Sequence, residues 1–182
     1  MNIKSRIPNA LSVGRILLTS GIVLLLLVPS IPVALVIILI LLVFASDILD
    51  GIIARQFNTS SKAGATLDII ADSYYVLATS AALVFRDIMP VAILICIVVE
   101  FAVFIATSPR LASRHQSMDY SPFYIEKFGR NLTIYLYFTA PMIFLIGHRI
   151  GFNAVITPAL VTVCVVLTAL AIVYRLYLWF AS

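Results

Sequence analysis

Residues 33–72 read VALVIILILLVFASDILDGIIARQFNTSSKAGATLDIIAD. Residues 33–46 carry no charge, whereas residues 47–72 hold Asp47, Asp50, Asp68 and Asp72, four of the eight acids in the chain. An ionised side chain at the centre of a bilayer costs roughly 3 kcal/mol on insertion scales, and more in simulations. Four carboxylates beside an apolar run therefore need a counter-charge, and one or two divalent cations are the natural candidate. That points to a membrane enzyme acting on a phosphate ester.

The rest of the chain agrees with a membrane setting. It has 182 residues, 63% of them hydrophobic and 11% charged, with a mean hydropathy of +1.13. A soluble domain is about half apolar and a quarter charged. At about 20 residues per span, the chain has room for six helices and short loops. The expected architecture is all-α, a six-helix transmembrane bundle forming one domain over residues 1–182. The expected spans are 11–28, 33–55, 64–84, 91–107, 128–146 and 154–179. Residues 1–10 could add a short interfacial helix, with Ile3 and Ile7 on one face. Arg15 interrupts the first apolar run and no A-x-A site follows Leu27, so this run is expected to be a retained span and not a signal peptide.

Cys96 and Cys164 sit in apolar runs and read as small buried hydrophobes, not as a disulfide. The pI of about 9.3 does not indicate nucleic acid, because no basic run with interleaved aromatics is present. The basic residues read instead as topology. Lys4, Arg6, Arg55, Lys62, Arg110, Arg114, Lys127 and Arg130 fall on the side of the N-terminus, and Arg86 and Arg149 on the other. The positive-inside rule then expects a multi-pass protein of the cytoplasmic membrane, with both termini and the aspartate cluster in the cytoplasm.

Helical spacing gives the aspartates a geometry. Asp47 and Asp50 are three apart on the second helix, and Asp68 and Asp72 four apart on the third, so each pair shares a face. A short polar loop makes the two helices antiparallel neighbours. Oxygen donors without His or Cys favour Mg²⁺ or Mn²⁺ over zinc, and two ions could be held. Gly51, Ala54 and Gly64 would let backbone or a planar ligand approach closely, and Arg55 can grip a phosphate oxygen.

The spacing Asp47-x2-Asp50-Gly51-x2-Ala54-Arg55-x8-Gly64-x3-Asp68-x3-Asp72 resembles, at all eight fixed positions over 26 residues, the signature of the CDP-alcohol phosphatidyltransferase family. The six-span layout is similar over the whole chain. The resemblance implies attack of an alcohol on the β-phosphorus of a CDP-linked lipid such as CDP-diacylglycerol, with CMP leaving. It implies that Asp47, Asp50 and Asp68 are metal ligands, with Asp72 completing the site and serving as general base. It also implies a cytidine pocket lined by Gly51, Ala54 and Gly64, a pyrophosphate contact from Arg55, and a homodimer.

The acceptor must be read from basic residues outside that stretch. Arg110, Arg114, Lys127, Arg130 and Arg175 could converge on a small polar alcohol or its phosphate. Residues 127–133 and the opening Ile7-Pro8-Asn9-x-Leu11-Ser12-x2-Arg15 are similar to segments of phosphatidylglycerophosphate synthases, which implies glycerol 3-phosphate; inositol phosphate, serine or another alcohol are the alternatives. Those synthases carry Arg-Glu, Asp-Pro and Asp-Lys where this chain has Val99-Glu100, Asp68-Ile69 and Asp72-Ser73. Glu100, a lone acid in an apolar run, either pairs with Arg15 or faces the site. A cation-coupled transporter would also place carboxylates in the membrane, but it should show inverted repeats or broken helices, and none is evident. A prenyl-diphosphate enzyme should show Asp-Asp-x-x-Asp, which is absent.

Overall fold

The computed structural model describes residues 7–28, 30, 32–57, 62–114, 140–148, 150, 151 and 156–181. Side chains at 7–11, 47, 50–57, 62, 63, 65 and 109–114 are outside that description. The helices are α1 (Ile7–Leu26), α2 (Val33–Phe57), α3 (Lys62–Phe85), α4 (Val91–Arg114), α5 (140–148) and α6 (Ile156–Ala181). No strand occurs among the described residues, so the fold is all-α. Thr66–Phe85, Val91–Ser108 and Ile156–Ala181 are long and apolar enough to cross a bilayer, and Ser12–Leu26 and Val33–Ser46 are shorter apolar helices. Large apolar side chains such as Leu17, Leu24, Val173 and Phe180 stand outward on these helices. In water that exposure would be ruinous; in lipid it costs nothing, because only the backbone must be satisfied internally. The protein is an integral membrane helical bundle.

Contacts divide the chain into two compact units, Met1–Ala82 and Leu83–Ser182. In the first, α1 packs on α2. Its inward stripe is Ser12, Arg15, Thr19, Ile22 and Leu26, at alternating spacings of three and four, which mark one helical face. The lower half of that stripe is polar and the upper half apolar. Val36, Ile40 and Val43 make the corresponding stripe on α2, and Ala71, Tyr75, Thr79 and Ala82 on α3. Pro8 falls in the first turn of α1, where its missing N–H would have had no helical partner. The expected N-terminal interfacial helix is therefore, from Ile7 onward, the start of α1. Residues 1–6 lie outside the described residues.

In the second unit α4 packs on α6, whose buried stripe is Cys164, Thr168, Ala171 and Arg175. The chain leaves α3 through a Schellman cap. Asp87 N–H donates to the Val84 carbonyl at 3.0 Å and Ile88 N–H to that of Leu83 at 2.9 Å. Asp87 takes the left-handed conformation this cap needs, at φ 55°, a role usually given to glycine but open to Asp. Pro90 then opens α4.

One expectation changes. The fourth span was expected to end near Thr107, with Pro109 starting a loop; α4 instead runs on through Pro109 to Arg114. Proline's fixed φ suits a helix, so the loss at Pro109 is one N–H and some crowding. The hydroxyls of Thr107 and Ser108 donate to the carbonyls of Val103 and Phe104, both at 2.7 Å, adding bonds to that turn. Arg110 and Arg114 are thus helical, one turn apart, and not loop residues. Of the expected fifth span, 128–139 lie outside the described residues and 140–148 are helical.

Candidate active site

The first unit builds the site from three helices. Arg15 on α1 is fully buried, and its Nη1 donates to Oδ1 of Asp68 at 2.9 Å and to Oδ1 of Asp72. Asp68 and Asp72 are successive turns of one face of α3, so a single nitrogen can reach both. Their side chains remain 44% and 32% exposed, while that of Arg15 is at 0%. The guanidinium thus lies behind the carboxylates and the carboxylates lie in front of it. One turn further along, Ser20 Oγ and Tyr74 Oη are hydrogen-bonded at 3.0 Å. Both contacts join α1 and α3 at a near-constant sequence offset, so the two helices run parallel.

Helix α2 is tied in by Phe44, whose ring meets Tyr75 edge to face at 6.2 Å. Phe57 and Lys62 are five peptide steps apart, under about 18 Å even when fully extended. Helices α2 and α3, each about 36 Å long at 1.5 Å per residue, therefore run antiparallel. Three residues toward the shared loop from Phe44 is position 47, and three from Tyr75 is position 72. Register carries positions 50 and 51 toward the level of 68 in the same way. Gly64, half-buried on α3, continues the face of Asp68 and Asp72 one turn toward the loop. The side chains of Asp47, Asp50, Gly51, Ala54 and Arg55 lie outside the described residues; their backbones are helical.

The donor set can be tested against the expected cations. Asp68 and Asp72 present hard oxygen ligands on one face, partly open, and already aligned by a shared hydrogen-bond donor. These are the properties Mg²⁺ and Mn²⁺ select for, so the described residues fit a divalent ion. Among the described residues, which do not include the side chains of Asp47 and Asp50, there is no cluster of three or more metal-ligating side chains.

In the second unit Arg175 is buried between α4 and α6. Its Nε donates to Thr107 Oγ1 at 2.6 Å, and its Nη2 to Ser108 Oγ at 2.8 Å and to the Phe104 carbonyl at 3.3 Å. Its guanidinium carbon stacks 4.6 Å from the centroid of the Phe104 ring, a cation–π contact. Of the other expected acceptor residues, the side chains of Arg110 and Arg114 and all of Lys127 and Arg130 lie outside the described residues. Sequence reasoning set Arg15 against Glu100 and did not connect it to Asp68 and Asp72. It also missed Thr107 and Ser108. The signal for Arg15 was present in the polar positions 12, 15 and 19, which share a helical face within an apolar run.

The family described as CDP-alcohol phosphatidyltransferase matches residues 5–170. A cardiolipin synthase (CMP-forming) of Streptomyces coelicolor is 32% identical over 100 residues, 55% of this chain and 45% of that protein. The match thus spans less than half the length of that relative.

Proposed function

Because this chain belongs to the CDP-alcohol phosphatidyltransferase family, we propose that it transfers a phosphatidyl group from CDP-diacylglycerol to the hydroxyl of an alcohol and releases CMP, as a step of phospholipid synthesis. The observation that supports this most directly is the pair Asp68 and Asp72, held side by side on α3 at the register of the α2 aspartates. In this reading residues 1–182 act as one membrane domain, with termini and site on the cytoplasmic face, in a homodimer.

Asp47, Asp50, Asp68 and Asp72 would hold the Mg²⁺ or Mn²⁺ ions. When bound, such ions stabilise the charge of the transferring phosphoryl group and of the departing CMP. Asp72 takes the proton of the acceptor hydroxyl as its oxygen bonds to the β-phosphorus and the bond from that phosphorus to CMP breaks. Gly51, Ala54 and Gly64 leave room for the cytidine, and Arg55 grips the pyrophosphate. Arg175, with Arg110, Arg114, Lys127 and Arg130, supplies positive charge for a phosphorylated acceptor; Thr107 and Ser108 hold its guanidinium in one orientation.

Two acceptors share one chemistry, the hydroxyl of a glycerol phosphate. The likeness of residues 7–15 and 127–133 to phosphatidylglycerophosphate synthases supports free glycerol 3-phosphate. The cardiolipin synthase relative favours a second reading, in which the glycerol belongs to a lipid headgroup. Membranes containing the protein are expected to release CMP from CDP-diacylglycerol only with Mg²⁺ or Mn²⁺ and one of these acceptors. A panel of glycerol 3-phosphate, phosphatidylglycerol, inositol phosphate and serine identifies which. Metal-independent release, or no release with any acceptor, overturns the proposal.

A further inference from the structure

We infer that Arg15 is a positioning residue, a resident counter-charge that aligns Asp68 and Asp72 and sets how tightly the site takes a divalent cation. The inference rests on the metal reading above and adds to it the role of a residue outside the eight-position signature.

The geometry is asymmetric. The guanidinium is fully buried, and the two carboxylates it holds are a third to nearly a half exposed. Arginine stays protonated under all ordinary conditions, so its charge here is permanent. Two carboxylates four apart on one helix repel each other and, left alone, would turn apart. One nitrogen bonded to Oδ1 of both removes that repulsion and fixes both side chains toward a common point. The same charge opposes any cation that enters from the open side. The two positive centres would share the same carboxylates, well within the roughly 8 Å over which solution ions leave a field unscreened, and burial weakens screening further. Arg15 therefore gives alignment at the expense of cation affinity: the acids are ready before a cation arrives, and the cation is held loosely.

A residue that only filled space would not have this signature. Mn²⁺ binding to the detergent-solubilised full-length protein can be measured at equilibrium from the resonance signal of the free ion. Arg15→Gln is expected to tighten the Mn²⁺ Kd at least tenfold, because the charge opposing the cation is gone, while kcat for CMP release falls, because the two carboxylates lose their alignment. Arg15→Lys keeps the charge and should leave Kd within threefold of the original. An unchanged or weaker Kd in Arg15→Gln overturns the inference. Should that variant fail to fold, a tenfold or larger shift of Kd in Arg15→Lys overturns it, and a Kd within threefold supports it. The premise is tested separately: Mn²⁺ binding lost in Asp68→Asn but unmoved by Arg15→Gln sinks only the Arg15 role. If the original protein binds no Mn²⁺, the metal reading falls and this inference with it.

Discussion

Among the described residues, each of the two compact units buries one arginine, and they treat it differently. Arg15 meets two carboxylates, whereas Arg175 is fixed by two hydroxyls, a backbone carbonyl and an aromatic ring. A guanidinium against two acids leaves the cluster with a net negative charge that a cation can answer. The contacts of Arg175 are instead with neutral groups: two hydroxyl oxygens and a carbonyl oxygen accept its N–H groups, and the Phe104 ring lies against its face. One chain thus carries two different arginine settings, each in its own unit. Burial strengthens both, since a dry setting enlarges every charge interaction.

Breaking the acid side should have the largest effect. Asp72→Asn removes the proposed base and one of the two carboxylates on Arg15. CMP release at saturating acceptor is expected to fall at least about a hundredfold, within the usual contribution of a general base. Turnover retained in that variant would take Asp72 out of the base role. On the other side, Thr107→Val leaves the Arg175 Nε–H without its hydroxyl acceptor in a buried setting. The expected cost is about 1–3 kcal/mol, read as a lower unfolding temperature in detergent. If Arg175 serves the acceptor, the acceptor's KM should also rise while the donor's stays put; an unchanged KM returns Arg175 to packing alone. The smallest effect is expected at Ser20→Ala, because the Ser20–Tyr74 bond is exposed. A stability loss of about 0.5 kcal/mol, the low end for such a bond, should leave CMP release unaltered.

Much of this was legible from residues alone. The apolar runs give helices and a membrane setting because lipid admits only a backbone that satisfies its own hydrogen bonds. The helix α2 was expected from 33 to 55 and spans Val33–Phe57, and α3 from 64 to 84 and spans Lys62–Phe85. Pairing within each helix follows from a 3.6-residue period, and so Asp68 and Asp72 were expected together. The end of α4 was not legible, because Pro109 reads as a stop unless the surrounding turn compensates for it. Thr107 and Ser108 also serve Arg175, 68 and 67 residues away, and no local pattern announces so distant a partner.

The 26-residue stretch from Asp47 to Asp72 therefore pointed by itself to the class of chemistry, to an expected oxygen-only donor set and to the two helix faces expected to carry it. What only the tertiary structure decided is which distant side chains complete those faces. Arg15 on α1 reaches Asp68 and Asp72 on α3 across 53 and 57 residues of chain. The sequence showed that a charge so placed needs a partner; which of several acids it meets depends on how the helices rotate and align, and packing alone settles that.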